Sequence, residues 1–317
     1  MASSEQRVVC VGLICFDMIT VCDGFPLEDT DTPCREQHWA RGGNASNNCT
    51  VLRQLGVPCE LVGTLAADDA AKFLRDDLST CGIPHDRCVE DPAGATPTAF
   101  IIINALNGSR TILHESTRAS EVTAAQFDDV DLRGCGWVHF EGRSRNVAEM
   151  REMVARIRRD DAADSIVVSV ELEKPRREME QLLPLGDFVF VGKEFAVFSG
   201  YESMRAAVEG LREKVRGGAT VICPWGEEGA CASTSDGTVF TAAAEPPEKV
   251  VDTIGAGDTF IAACIAQLYK GASVEAAIQA GCRVAGAKCG QMGLKDLKLP
   301  PPSPLCKPRE GTINLNL

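Results

Sequence analysis

The segment 250–260, with the sequence VVDTIGAGDTF, holds the residues whose types and spacing are best suited to chemistry. Gly255 and Gly257 flank Ala256, and a run with the apolar periodicity of a helix begins directly behind them. Small residues let backbone N–H groups point at one spot, and the N-terminus of a helix adds positive potential there. The segment therefore predicts a site for an anion, or for negative charge that develops during a reaction.

Asp258 falls in the first turn of that predicted helix, and two interpretations of it remain open at this point. As a general base, its carboxylate would remove the proton from a substrate hydroxyl. The N–H groups of Gly255, Ala256 and Gly257 would then stabilise a transferring phosphoryl group, which needs both a base and a charge sink. A plain helix cap that compensates the helix dipole would use the same residue type at the same position.

Strands and helices alternate along most of the chain. The predicted core strands are 7–14, 59–63, 137–141, 165–171, 187–191 and 219–223. The predicted helices are 45–55, 67–81, 146–159, 203–216, 257–269 and 273–289. Such an alternation is typical of an α/β fold with a doubly wound, mostly parallel sheet and helices on both faces.

Two segments break the alternation. Residues 17–40 contain no good helix, and residues 98–103 and 110–114 read as two strands joined at Asn107-Gly108, a strong hairpin signal. We expect these segments to pair into a small antiparallel sheet outside the core, either a lid or a dimerisation surface. The expected division is an α/β core (1–16, 41–95 and 118–296), a β-sheet lid (17–40 and 96–117) and a disordered proline-rich tail (297–317).

Composition narrows the functions that this chain can have. Its 317 residues carry a net charge of −13, which argues against nucleic acid or an anionic membrane as the main partner. The 15 cysteines are odd in number and often lie inside apolar runs, a pattern typical of free thiols in a reducing, cytoplasmic setting. We find no apolar signal core, no run long enough to span a bilayer and no Cys/His spacing that suits a structural metal.

The motif DTIGAGDTF resembles the C-terminal signature of the ribokinase-like carbohydrate kinases, and residues 41–47 (RGGNASN) resemble their N-terminal glycine motif. Within that family the stretches WARGGNASNNCTVL, GSRTIL, HFEGR, VELEKPR and AGAKCG are most similar to members that act on ketohexoses. The resemblance covers residues 7–293. It implies a cytoplasmic homodimer, joined through the lid, that uses ATP to phosphorylate the 1-hydroxyl of D-fructose. Mg²⁺ would arrive on the ATP, and K⁺ is a further candidate ion.

For the sugar, the resemblance implies a set of hydroxyl-binding residues. They are Asp17, Asp29, Gly43, Asn44, Asn47, Ser109 and Asp258. Carboxylate and amide groups suit a polyol because each binds hydroxyls directionally. Helix capping by Asn44 and Asn47, and an ordinary turn at Asp29, are the alternative interpretations. Ser109 stands where the family has an asparagine, and the hairpin also lacks the expected aromatic pair near His114, so the chain departs from the family at residues that would set the sugar preference.

For the nucleotide, the resemblance implies a second set. Its members are Arg110, Lys193, Gly226, Glu227, Glu228, Gly229, Pro246, Pro247, Val250, Gly255, Ala256, Gly257, Phe260 and Cys282. Arg110 would supply charge to the phosphates from the lid, with a solvated strand residue as the alternative. Core packing is the alternative for the apolar members. Residues 192–195 (GKEF) depart from the family's Asn-x-x-Glu magnesium motif, so no direct magnesium ligand is identified.

Three other functions remain open. One is a kinase of the same fold that acts on ribose, adenosine or an aldohexose, although Asp17, Asp29 and the HFEGR stretch favour a ketohexose. Another is a catalytically silent sugar-binding regulator, against which the intact Asp258 and GAG sequence argue. A dinucleotide-dependent reductase is disfavoured because residues 12–15 (GLIC) follow the first strand without a G-x-G-x-x-G that opens a helix.

Overall fold

A computed structural model describes residues 6–116, 118–160 and 166–299, and the structural statements below refer to these residues. Of the predicted tail (297–317), residues 300–317 lie outside them, as does residue 165 at the start of one predicted strand. Leu297, which the predicted tail includes, is buried and packs in the core. The strands are β1 (Arg7–Val11), β2 (Cys15–Cys22), β3 (Glu36–Gly42), β4 (Cys59–Val62), β5 (Thr64–Ala66), β6 (Val89–Asp91), β7 (Thr98–Asn104), β8 (Arg110–Glu115), β9 (Cys135–Glu141), β10 (Val167–Leu172), β11 (Phe188–Val191), β12 (Thr220–Pro224), β13 (Ala230–Ser233) and β14 (Val239–Ala242).

The helices lie between these strands and pack on both faces of the larger sheet. They are α1 (Asn44–Gln54), α2 (Asp69–Thr80), α3 (Ala124–Phe127), α4 (Val147–Asp160), α5 (Lys193–Phe198), α6 (Met204–Leu211), α7 (Ala256–Tyr269) and α8 (Val274–Cys289), with short 3₁₀ helices at Arg177–Leu185 and Gly226–Glu228. In the described ranges, no helix combines the length and the apolar character needed to cross a bilayer.

The larger sheet has the strand order β14-β13-β12-β11-β10-β9-β1-β4. The strands from β4 to β12 run parallel, and β13 and β14 add an antiparallel edge. Large apolar side chains pack on both faces of this sheet, around Trp137 and Phe260 on one face and around Phe140 and Phe195 on the other. The predicted α/β fold with a mostly parallel, doubly wound sheet is confirmed.

The smaller sheet has the order β3-β2-β7-β8 and lies outside the core sheet, as the segments that break the alternation predict. One expectation is wrong: β2 and β7 pair in parallel, so the sheet is mixed rather than antiparallel. Parallel neighbours need a long crossover, and the chain between β2 and β7 supplies one through α1 and α2. The pairing aligns Asp17 with Ala99, and both line the cleft described below.

Helix α7 is apolar on nearly all sides and is buried against α1 and α8. Its N-cap, Gly255, has φ 74°, a left-handed conformation that glycine adopts at little cost. The Thr259 N–H donates to the Gly255 carbonyl at 2.9 Å, which closes the first helical turn. The predicted start of this helix at residue 257 is therefore right to within one residue.

Candidate active site

A cleft of ≈ 450 Å³ lies between the smaller sheet and the carboxyl ends of the parallel strands. Ligands of open α/β sheets commonly bind at this edge. Many of the residues expected to bind sugar or nucleotide line it: Asp17, Gly43, Asn44, Asn47, Arg110, Lys193, Gly226, Gly255, Ala256, Gly257 and Asp258. The two motifs at opposite ends of the sequence therefore meet in one cleft.

Asp258 lies in the first turn of α7 and is 7% exposed. Its Oδ2 accepts a hydrogen bond from Asn47 Nδ2 at 2.7 Å, and its backbone carbonyl accepts one from Asn48 Nδ2 at 2.9 Å. Both asparagines belong to α1, so this helix fixes the side chain and the backbone of Asp258. Its Oδ1 has no hydrogen-bond partner among the described residues, which leaves that oxygen for a ligand.

Burial raises the pKa of Asp258 from 3.8 to about 7, because a low-dielectric surrounding disfavours the charged carboxylate. The negative charges of Glu173 and Glu141 raise the pKa further, while the hydrogen bond from Asn47 and the charge of Lys174 lower it. A carboxyl group with a pKa near the working pH suits a general base, since it accepts a proton readily and is still partly ionised beforehand. The environment of Asp258 is thus tuned in the direction that base catalysis needs.

The loop before α7 is held by a buried ion pair. Lys288 of α8 is fully buried, and its Nζ donates to the Asp252 carboxylate at 2.6 Å and to the Asp252 backbone carbonyl at 2.8 Å. The N–H groups of Ile254 and Gly293 donate to the same carboxylate. These contacts fix the chain leading into Gly255, and so the direction in which the first N–H groups of α7 point.

The glycine motif at 42–43 brings the backbone against its neighbours. Gly43 has φ 94°, and a Cβ there would lie 2.1 Å from the Leu13 carbonyl oxygen. A Cβ on Gly42 would lie 2.2 Å from Asp17 Oδ2. Burial raises the pKa of Asp17 to about 6. A side chain at residue 43 would therefore have to move the Leu13 backbone, and one at residue 42 would have to displace the Asp17 carboxyl group. Asp17 and Asn44 both line the cleft.

Three glutamates complete this part of the site. Glu141 Oε2 accepts the Leu13 and Ala45 N–H groups at 2.9 and 3.1 Å. Asn44 Nδ2 donates to Glu171 Oε1 at 3.0 Å and to Glu173 Oε2 at 2.9 Å. Burial raises the pKa of Glu171 well above its usual range, and the charges of Asp258, Glu173 and Glu141 add to the effect.

The sequence interpretation gave these glutamates no role. The usable signal was their position: the HFEGR and VELEKPR stretches put Glu141 and Glu171 at the ends of two predicted strands. Because the carboxyl ends of neighbouring parallel strands meet at one edge of a sheet, these acids had to lie close together.

On the opposite side of the cleft lie two cations expected to serve the nucleotide. Arg110 of β8 donates from Nη1 to Thr253 Oγ1 at 2.5 Å, which links the smaller sheet to the loop before α7. Lys193 begins α5, and its Nζ lies 5.2 Å from the centre of the Trp225 ring, a cation–π contact. Gly226 follows Trp225 and also lines the cleft, and neither Arg110 nor Lys193 forms an ion pair with another described residue.

The remaining residues of the two expected sets do not line the cleft. They are Asp29, Ser109, Glu227, Glu228, Gly229, Pro246, Pro247, Val250, Phe260 and Cys282. Asp29 is exposed in the loop between β2 and β3, and Ser109 is exposed in the β7–β8 turn. Phe260 and Cys282 are buried in the core, where the packing interpretation already accounts for them. A role in ligand binding for these residues stays a prediction.

The acidic side chains of the cleft do not form a resident metal site. Among the described residues, no group of three or more His, Cys, Asp or Glu side chains is arranged to hold a metal ion. Two glutamate oxygens of the cleft, Glu171 Oε1 and Glu173 Oε2, both accept hydrogen bonds from the Asn44 amide. The described residues thus identify no direct protein ligand for magnesium.

Comparison with known proteins agrees with this geometry. The chain is 45% identical over 293 residues to ketohexokinase of Mus musculus, with 91% of this chain and 98% of the mouse protein covered. It is 27% identical over 267 residues to a fructokinase of Rhizobium leguminosarum bv. trifolii, with 78% and 79% covered.

Solved structures share the fold. Ribokinase from Giardia lamblia aligns with a TM-score of 0.79 at 17% identity, covering 91% of this chain and 94% of that one. Arabidopsis thaliana ribokinase, solved with ribose and ATP, aligns with a TM-score of 0.75 at 19% identity and the same coverage. A model of the pfkB family carbohydrate kinases matches residues 5–300. The chain therefore belongs to the pfkB family of carbohydrate kinases.

Proposed function

We propose that this carbohydrate kinase is a ketohexokinase, which transfers the γ-phosphoryl group of ATP to the 1-hydroxyl of D-fructose. The products are fructose 1-phosphate and ADP. The observation that carries the proposal is the placement of Asp258 at the N-terminus of α7, held by Asn47 and facing the cleft. The identity to mouse ketohexokinase supports the choice of sugar, since the match runs through the motifs that form this cleft.

Asp258 acts as the general base. With Oδ2 engaged by Asn47, Oδ1 takes the proton from the sugar hydroxyl as the hydroxyl oxygen attacks the γ-phosphorus. The bond between the γ-phosphorus and the bridging oxygen breaks, and ADP leaves with that electron pair. The proton stays on Asp258 until the product departs.

The N-terminus of α7 stabilises the charge of the transferring group. The N–H groups of Gly255, Ala256 and Gly257 lie at the positive end of the helix dipole, beside the base. Arg110 and Lys193 supply positive charge from the nucleotide side of the cleft. A kinase of this family uses ATP with Mg²⁺, which neutralises phosphate charge; a requirement for K⁺ stays a prediction.

The smaller sheet acts as a lid. Its face toward the cleft carries the apolar side chains of Ala99, Ile101 and Ile112, which exclude water when they cover the bound sugar. Exclusion of water matters because water is a competing phosphoryl acceptor. The link from Arg110 to Thr253 couples closure of this sheet to the loop before α7.

The lid also joins two chains into a homodimer in this proposal. The side chains of Trp39, Met18, Phe100 and Leu113 follow one another across the four strands, in register. Trp39, Phe100 and Leu113 are about half exposed, at 57%, 47% and 57%. An apolar row of this kind on one chain is typical of an interaction surface. A cytoplasmic location is supported by the described cysteines, all of which are free.

The proposal is tested by measuring ADP release with D-fructose, D-ribose, adenosine and D-glucose. We expect turnover with D-fructose to exceed the others, and phosphorus NMR of the product to place the phosphate on carbon 1. Higher turnover with ribose or adenosine would show that the proposed substrate is wrong and that the protein is a kinase for a different substrate. If none of them causes ADP release, the alternative of a catalytically silent sugar-binding regulator with the same fold would be favoured.

A further inference from the structure

The Asn44 side chain is held more tightly than a sugar-binding residue on a loop would be. Its amide has two N–H donors and one carbonyl acceptor. Its amide nitrogen, Nδ2, donates to Glu171 Oε1 at 3.0 Å and to Glu173 Oε2 at 2.9 Å. A flipped amide would set its carbonyl oxygen against the Glu173 carboxylate, which pairs with Lys174 Nζ, so the orientation with the NH₂ group toward Glu173 is favoured.

The backbone under Asn44 is fixed as well. Gly43 on one side is confined by the Leu13 carbonyl, and the Ala45 N–H on the other side is bound by Glu141 Oε2 at 3.1 Å. Asn44 is the first residue of α1, so its side chain leaves a rigid helix end. With the backbone and the NH₂ group both fixed, the carbonyl oxygen is the polar side-chain atom of Asn44 left for a ligand in the cleft.

The two glutamates differ in how they are themselves held. Glu173 is partly exposed, and its second oxygen pairs with Lys174 Nζ at 3.0 Å. Glu171 is 5% exposed, and its Oε2 has no hydrogen-bond partner among the described residues. An unpartnered buried carboxyl oxygen destabilises a fold. A well-packed apolar residue would fill the same space at lower cost, which indicates that Glu171 is kept for the site rather than for stability.

We propose that Glu171 and Glu173 are positioning residues for the sugar: together they lock the Asn44 amide so that its carbonyl oxygen accepts a hydrogen bond from a sugar hydroxyl. The inference rests on the proposed function, because it needs a polyol in this cleft. In this proposal the carboxyl end of β10 and the residue that follows it contribute to sugar recognition, although neither glutamate has to contact the sugar.

A double-mutant cycle tests the coupling. We expect Glu173→Ala to raise the KM for D-fructose by about tenfold, the worth of a hydrogen bond to a charged group, and to leave the KM for ATP within about twofold. In an Asn44→Ala background the same substitution should raise the sugar KM by less than about twofold, since the amide that it orients is gone. Glu173→Gln, which keeps one carbonyl acceptor, should fall between Glu173→Ala and the unsubstituted enzyme.

Glu178→Ala is the matched control, because Glu178 is exposed on the neighbouring 3₁₀ helix and lies outside the cleft. Glu171→Gln, which preserves volume, is the second test variant and should also raise the sugar KM selectively. An unchanged sugar KM in both Glu173→Ala and Glu171→Gln, or an equal effect of Glu173→Ala with and without Asn44, would overturn the proposal. If the enzyme prefers another sugar of the panel, the cycle is run on that sugar, so a wrong substrate and a wrong role for the glutamates give different results.

Discussion

Replacing Asp258 with asparagine should stabilise the protein while removing its activity. The carboxylate is buried and its pKa is raised from 3.8 to about 7, chiefly by desolvation. Asparagine has nearly the same shape and still offers a carbonyl oxygen to Asn47 Nδ2. The substitution therefore removes the buried charge and keeps the hydrogen bond. The difference in the free energy of unfolding between the variant and the unsubstituted protein then measures how much the buried charge destabilises the fold.

The sign and size of the effect follow from proton linkage. When folding raises the pKa of an acid, the folded state binds the proton more tightly than the unfolded chain, so the stability from that group falls as pH rises. The fall begins near the unfolded value of 3.8 and is complete above the folded value of about 7. At about 1.4 kcal/mol per pH unit, the ionised carboxylate costs about 4 kcal/mol, and about half of that accumulates between about pH 5.5 and 7.

Urea unfolding at about pH 5.5 and about pH 8 measures this directly. The free energy of unfolding of Asp258→Asn, relative to the unsubstituted protein, should increase by about 2 kcal/mol between the two conditions. Asp69→Asn, on the exposed first turn of α2, is the control and should change this difference by less than about 0.5 kcal/mol. A difference for Asp258→Asn that does not depend on pH would refute the desolvation argument and the tuned base with it.

Three further predictions concern the residues around the site. Gly43→Ala should lower the free energy of unfolding by at least about 2 kcal/mol and abolish sugar binding, because the new Cβ would meet the Leu13 carbonyl. Gly56 has a similar φ but open space around it, so Gly56→Ala should lower the free energy of unfolding, measured by calorimetry, by only about 1 kcal/mol. Lys288→Met should lower the free energy of unfolding in urea by about 3 to 5 kcal/mol, because it leaves Asp252 buried and unpaired. Lys72→Ala, which removes one partner of the exposed ion pair with Asp76, should lower the free energy of unfolding far less. A comparable loss in both variants would contradict a special role for Lys288. Leu113→Lys should convert the dimer into a monomer, as measured by light scattering after size exclusion. Val197 is equally exposed but lies outside the smaller sheet, so Val197→Lys should leave the dimer intact. A dimer in both variants would exclude the lid as the interface.

The elements with strong local signals were predictable from the sequence. The apolar strands and the periodic helices of the core appear within a few residues of their predicted bounds, except that α6 ends at Leu211 rather than at residue 216. Gly255 marks the start of α7 as the GAG pattern indicates. The strands β13 and β14 were missed, because the short run ACAS in β13 has small side chains and little β-propensity. Parallel pairing of β2 with β7 depends on a crossover of many residues, which local patterns do not encode.

In the candidate site, too, the residues within local motifs were predictable from the sequence, and those that depend on tertiary contacts were not. Asp258 and Asn47 belong to contiguous motifs, so the roles proposed for them could be predicted from residue type and from the family resemblance. Glu171 and Glu173 contact Asn44, a residue more than a hundred positions away in the chain, and this contact exists only because β10 ends beside the start of α1. The buried Lys288 looks like any helical lysine in the sequence, and only the packing of α8 against the loop at Asp252 reveals its partner.

The most direct test of the central claim is the rate of a single phosphoryl transfer to D-fructose by Asp258→Asn, measured by rapid quench with saturating ATP and sugar. If Asp258 takes the proton of the attacking hydroxyl, this rate should fall by about 10²- to 10⁴-fold while the affinity for D-fructose stays within about threefold. A variant that keeps more than about a tenth of the original transfer rate would contradict the account, because the hydroxyl would then lose its proton without this carboxylate.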